Sequence, residues 1–217
     1  MIKQSLLTAA LFTAICTQTA QAQFSVGVQY GLTLSRTDAT PDGTNSHYGI
    51  HGDWQSGFRF LALSISFNAG TLSGGNSQSA TDLYYKNKFT QSDLQLKVYP
   101  LRTFGQSDSS KSLYYLSGLY VSGGAGMIGS NTTVHTITTT PFRYQGDYKG
   151  LDLVVPVSVG IEIPLRKAFK QNGLSLNLKY QANYCTSDKI DGYDPDLTSN
   201  KRKDLYHMAT FGLSYHF

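Results

Sequence analysis

The side chains able to do chemistry are few and widely spaced. Beyond the first 22 residues the histidines are His47, His51, His135, His207 and His216. Nucleophilic hydrolysis needs a Ser, a His and a carboxylate within hydrogen-bonding reach. His47 beside Ser46, and His207 near Ser199 and Asp204, offer those groups at neighbouring segment ends. No nucleophile motif surrounds either His, so no catalytic residue is assigned. Cation binding is the second chemistry. The stretch 188–204, DKIDGYDPDLTSNKRKD, supplies Asp188, Asp191, Asp194 and Asp196 as hard oxygen ligands for Ca²⁺. Their spacing does not match an EF-hand loop. Lys201, Arg202 and Lys203 can neutralise those aspartates or meet lipid phosphates, and the stretch reads as a solvated loop. No cofactor fingerprint and no metal-ligand spacing is present, so neither a cofactor nor a metal is assigned.

The elements that must position these residues follow from one pattern. Apolar side chains recur at every second position, the period of a strand with one apolar and one polar face. Phe24, Val26, Val28, Tyr30, Leu32 and Leu34 share a face. Weaker alternation covers about 46–55, with Tyr48, Ile50 and Trp54. Leu61, Leu63, Ile65, Phe67 and Ala69 follow. The stretch 83–100 is irregular at its start and settles at Leu94, Leu96 and Val98. Leu113, Tyr115, Leu119, Val121, Ala125 and Met127 form a fifth set. The clearest runs through Leu151, Leu153, Val155, Val157, Val159, Ile161, Ile163 and Leu165. Leu174 to Tyr184 gives the seventh, and 205–217, LYHMATFGLSYHF, the eighth.

Eight segments, each long enough for a tilted membrane strand, predict an all-β fold: an eight-stranded antiparallel transmembrane up-and-down β-barrel. Closure is required in lipid, where an open edge leaves backbone groups unpaired. A soluble sandwich or lipocalin-type barrel shares the periodicity. It explains less well a chain that stops on Phe217 after an alternating aromatic strand. Connections near 40–46, 71–82, 129–147 and 185–204 are polar and long, as outer loops should be. The 101–112 connection is long for an inner turn. Pro156 cannot donate to a ladder and predicts a bulge on the lumen face. Phe24, Tyr115, Tyr215 and Phe217 near the inner ends, with Tyr30, Phe67, Tyr180 and Tyr184 near the outer ends, predict two interfacial aromatic girdles.

Residues 1–22 read as a signal peptide, with Lys3, the apolar run Leu6–Ile15 and an Ala20-Gln21-Ala22 cleavage site. The exported domain is then 23–217. The net charge of +4 includes Lys3, and the remaining basic residues are scattered, which argues against nucleic acid. Cys185 is the one cysteine outside the leader, so no intramolecular disulfide can form. On the polar face stand Asp53, Lys97, Asp152, Glu162 and Lys179. Eight strands enclose a lumen only wide enough for side chains. These charges are therefore expected to pair there as a polar network that sets strand register, with no wide pore.

The sequence resembles the small outer-membrane β-barrel domain family common in Bacteroidetes, often termed PorT-like. The features that carry this are the A-x-A leader followed by QFSVGVQYG, the strand LDLVVPVSVGIEIPL, DGYDPD near the last outer loop, and the final FGLSYHF. The resemblance implies that Phe211, Leu213, Tyr215 and Phe217 form a signal read by the barrel-assembly machinery. It also implies contact with outer-membrane lipid and lipopolysaccharide, and a role in structure or surface binding. The alternatives are an accessory component of a secretion or surface complex, and a barrel-embedded lipid-modifying hydrolase.

Overall fold

In the computed structural model the alternation folds into a closed antiparallel barrel. The structure describes residues 24–37, 39, 41–58, 60–75, 83–102, 115–135, 142–165, 173–195 and 203–217. The leader with Ala20 and Ala22, Leu113, Asp196, Ser199, Lys201 and Arg202 lie outside these. The barrel strands are β1 (Phe24–Arg36), β2 (Thr44–Gln55), β3 (Leu61–Gly75), β4 (Tyr84–Val98), β5 (Leu119–Val134), β7 (Tyr148–Pro164), β8 (Gly173–Cys185) and β10 (Leu205–His216). Each pairs with its neighbour in sequence, and β10 closes on β1 from Ser25↔His216 to Arg36↔Leu205. Two short strands, β6 (Phe142–Gln145) and β9 (Tyr193–Pro195), form a separate ribbon. It lies at the end of the barrel that carries the 186–204 connection, here termed the outer end.

The two faces of the wall differ as lipid and protein interior would demand. On β1 every even residue from Phe24 to Arg36 points out and every odd one points in. On β7 Leu151, Leu153, Val155, Val157 and Val159 are all exposed, Leu151 at 68%. Contiguous exposed aliphatics on this scale are untenable in water, and they wrap the wall as an apolar band. Phe24 stacks on Phe217 at 6.3 Å between ring centroids, and Tyr215 meets Phe217 edge-on at 4.9 Å. These rings gather at the inner end of the outward face.

Several boundaries differ from the sequence reading. The fifth strand begins at Leu119, because Tyr115 and Leu116 form a helical turn closed by the Gly118 N–H on the Tyr115 carbonyl. Part of the 101–112 connection, Pro100–Arg102, is a short 3₁₀ helix. Residues 44–46, 71–75 and 129–134, expected in loops, extend β2, β3 and β5. Pro156 makes no bulge. Its side chain is buried, and the β5–β7 register is the same on both sides of it, Gly123↔Val157 and Gly126↔Val154. The ladder to β5 lapses at 155–156 while pairing to β8 continues through Pro156↔Asn183. A missing donor is thus tolerated by omitting rungs rather than by inserting a residue.

Candidate functional site

The lumen is filled in three layers. At the inner end Lys97 Nζ donates to Asp53 Oδ1 at 2.8 Å, both side chains almost fully buried. Beside this pair, Glu162 gathers four partners. His216 Nε2 lies 3.0 Å away, Arg102 3.6 Å, and Tyr99 and Ser175 donate at 3.1 and 3.2 Å. The Arg102 guanidinium lies 3.7 Å from the Tyr99 ring centroid, a cation–π contact in a dry setting. Tyr99 follows the end of β4. Burial, with the Glu162 carboxylate next, pushes its phenol well above the ordinary value, so the hydroxyl stays a donor. A void of about 10 Å³ remains between Ser25, Asp53, Tyr99, Glu162 and His216. That is room for roughly one water.

The middle layer is a web of amides. Gln91 and Gln95 both donate to Asp93, at 3.1 and 2.6 Å, and reach across the lumen to Asn183 and Gln181. Ser122 and Ser158 close on Gln95. On the far wall two histidines lie over glycines. Gly27 pairs with His51, and Gly31 with His47. A Cβ on either glycine would fall within 2.7 Å of the His ring. The bare backbone lets each ring cross β1 and bond on β10, His51 to Ser214 at 2.9 Å and His47 to Thr210 at 3.1 Å. Repeats of glycine and of histidine, each four residues apart, become matched pairs once the strands are antiparallel. The spacing was visible in the sequence, but it has no meaning without the register.

The outer layer is apolar. Leu72, Tyr85, Phe89, Ile128, Val154, Cys185, Tyr206 and Met208 form one buried cluster. Ile190 and Tyr193 descend into it from the connection that follows β8. Asn87 and Thr132 donate to the Ile190 carbonyl at 3.0 and 2.6 Å, and the Ile190 N–H donates to Asp204 at 2.9 Å. The described part of this loop is therefore a stopper and not a solvated segment: Asp188, Asp191 and Asp204 are buried with it.

The residues singled out from sequence divide accordingly. Asp53, Lys97 and Glu162 meet at the inner end. Asp152 stands apart near the outer end, half-buried, accepting from Tyr148 at 2.9 Å. Lys179 faces the lumen in register with Thr210 and Gly160, with no ion pair among the described residues. Phe211, Leu213, Tyr215 and Phe217 all point outward. His47 faces in, whereas His207 faces out and stacks on Tyr180 at 5.5 Å. They lie on opposite sides of the wall and cannot share a substrate. Ser46 also points outward, away from the His47 ring. Among the described residues no three His, Cys, Asp or Glu side chains are placed to hold a metal.

Comparison with known proteins agrees with this architecture. The family model described as outer membrane protein beta-barrel domain matches residues 7–217. No curated protein gives a significant match. Among solved structures, Ail, the attachment invasion locus protein of Yersinia pestis, superposes with a TM-score of 0.50 at 8% identity, covering 90% of this chain and 99% of that one. CarO of Acinetobacter baumannii gives 0.47 at 16% identity, over 87% and 97% of the two chains. The chain belongs to the outer-membrane β-barrel domain family and is an integral protein of the outer membrane.

Proposed function

We propose that the protein is a closed barrel whose wall anchors a rigid binding element at the cell surface. The observation that carries this is the seating of Ile190 and Tyr193 in the outer mouth. It fixes the polypeptide between β8 and β9, and with it the β6–β9 ribbon, directly above a lumen packed with side chains. A barrel built for passage would not spend its interior on ion pairs and amide bonds. Reconstitution in planar bilayers tests the reading. A closed barrel passes no sustained current, and stable open steps would overturn it.

Within the same proposal, residues 1–22 are a leader cleaved after Ala22, and the chain is a member of the PorT-like group common in Bacteroidetes. The outward row Phe211, Leu213, Tyr215 and Phe217 is what the assembly machinery reads during insertion. A rigid platform also suits an accessory component of a surface or secretion complex. A partner retained through mild detergent would favour that role. The hydrolase reading loses support from the separation of His47 and His207 by the wall. Lipid A hydrolysis by the purified protein, abolished in His207→Ala, would restore it.

A further inference from the structure

The alternation of β4 inverts part way along the strand. From Asp93 inward, polar residues face the lumen and Leu94, Leu96 and Val98 face out. Towards the outer end, Tyr85 and Phe89 face in, while Lys86, Lys88 and Thr90 face out. Lys86 and Lys88 are thus about 7 Å apart on one outward face. The register carries this row sideways: Thr71 pairs with Lys88, Lys88 with Asn131, and Asn131 with Lys149 on β7. Lys149 is two strand spacings, about 10 Å, from Lys88. Ser73 and Thr133 flank Lys86 in the same way. All three lysines are exposed, and none has an ion pair among the described residues. Asp147, immediately before β7, accepts from the Val134 N–H at the end of β5 at 2.8 Å. Inward on the same face, directly on β7 and past Thr90 and Ser92 on β4, the wall turns to hydrocarbon at Leu94, Leu96, Met127, Leu151 and Leu153. The opposite half of the rim presents Tyr30, Tyr48, Tyr180 and Tyr184, and its Arg36 is met by Asp42 at 3.8 Å.

We infer that the β3–β4–β5–β7 rim binds the phosphorylated sugar headgroup of an outer-leaflet glycolipid, whose acyl chains lie along Leu94, Leu96, Leu151 and Leu153. Exposed lysines at the edge of an apolar band select an amphiphile with an anionic head. The hydroxyl and amide groups of Thr71, Ser73, Asn131 and Thr133, interleaved with the lysines, suit a polyhydroxylated head better than a bare phosphodiester. The inference rests on the outer-membrane placement and not on the surface-binding proposal, so a failed conductance or partner test leaves it standing.

The test uses the folded full chain in phosphatidylcholine nanodiscs, with bound lipid counted by native mass spectrometry. Diphosphoryl lipid A, dephosphorylated lipid A and phosphatidylglycerol are the probes. Diphosphoryl lipid A should bind most tightly. At about fivefold per lysine, the K86Q/K88Q/K149Q variant should lose on the order of a hundredfold in affinity for it. The K86R/K88R/K149R variant and Arg36→Gln, an exposed cation on the opposite half of the rim that Asp42 already meets, should both bind as the wild type does. Heat-modifiable gel migration confirms that each variant is folded. Unchanged binding by the triple glutamine variant would overturn the inference. So would an equal loss in Arg36→Gln, or phosphatidylglycerol binding as tightly as lipid A, which would make the patch a general anionic-lipid surface.

Discussion

The two halves of β4 obey opposite rules. Its inner half puts Asp93, Gln95 and Lys97 into the lumen and Leu94, Leu96 and Val98 against lipid. Its outer half puts Tyr85 and Phe89 inside, with Asn87 between them spent on the Ile190 carbonyl, and Lys86 and Lys88 outside. The strand does not slip: pairing with β3 runs unbroken from Gly75↔Tyr84 to Leu61↔Val98. What changes is the solvent. Where the outer face meets hydrocarbon, the polar side chains must be inside, and each then needs a partner. Where the outer face meets headgroups and water, the inside can be an ordinary apolar core. The barrel is therefore two structures in series on one ladder. One is a membrane section with an ionic and amide interior, the other a short soluble-like section stoppered by Ile190.

Substitutions can break either section, and the sizes of effect should separate them. The largest belongs to the inner end. Asp53→Ala leaves Lys97 buried without its carboxylate and should cost about 3–5 kcal/mol, measured by urea unfolding from lipid vesicles. Next is Val157→Arg, which sets a cation on the lipid face of β7 and should cost about 2–4 kcal/mol in the same assay. Gly31→Ala comes third. Its Cβ would collide with the Ala209 carbonyl oxygen and meet the His47 ring at 2.7 Å, a cost of about 1–3 kcal/mol. Asn87→Ala removes a donor to the Ile190 carbonyl and should cost about 1 kcal/mol. It should also raise proteolysis of the 186–195 segment, which the three inner-section changes should not. Lys88→Leu, on the outer half of β4, should stay within about 0.5 kcal/mol of wild type. If it costs as much as Val157→Arg, the two sections are not distinct.

How much of this the sequence disclosed follows the same division. In the membrane section alternation is strict because one face has no water, so Leu151 to Leu165 and Leu174 to Tyr184 announced both their strands and their faces. The inverted section was illegible for the converse reason. With Tyr85, Phe89 and Ile128 inside, and Lys88, Asn131 and Thr133 outside, 83–92 reads as irregular and 129–134 as a loop. The rule that polar means lumen fails above the lipid. The fifth strand was drawn too early because Tyr115 sits at the right spacing while belonging to a helical turn. In the lumen, residue type indicated that Asp53, Lys97 and Glu162 belong inside. Partners such as Tyr99, Arg102 and His216 come from other strand ends and are fixed by register, which composition does not encode. The β6–β9 ribbon joins segments about fifty residues apart, with little alternation to mark either one.

The most direct test of this account is a site-directed spin-label scan of residues 84–98 in a Cys185→Ser background, in vesicles, reading collision with oxygen and with a water-soluble nickel chelate. The account predicts high oxygen exposure at 94, 96 and 98, high nickel exposure at 86 and 88, and little of either at 87, 89, 91, 93, 95 and 97. Nickel access at 91 to 97 would mean an open aqueous lumen. Oxygen-dominated exposure at 86 and 88 would mean that the lipid face continues without inversion. Either result would contradict the two-section barrel.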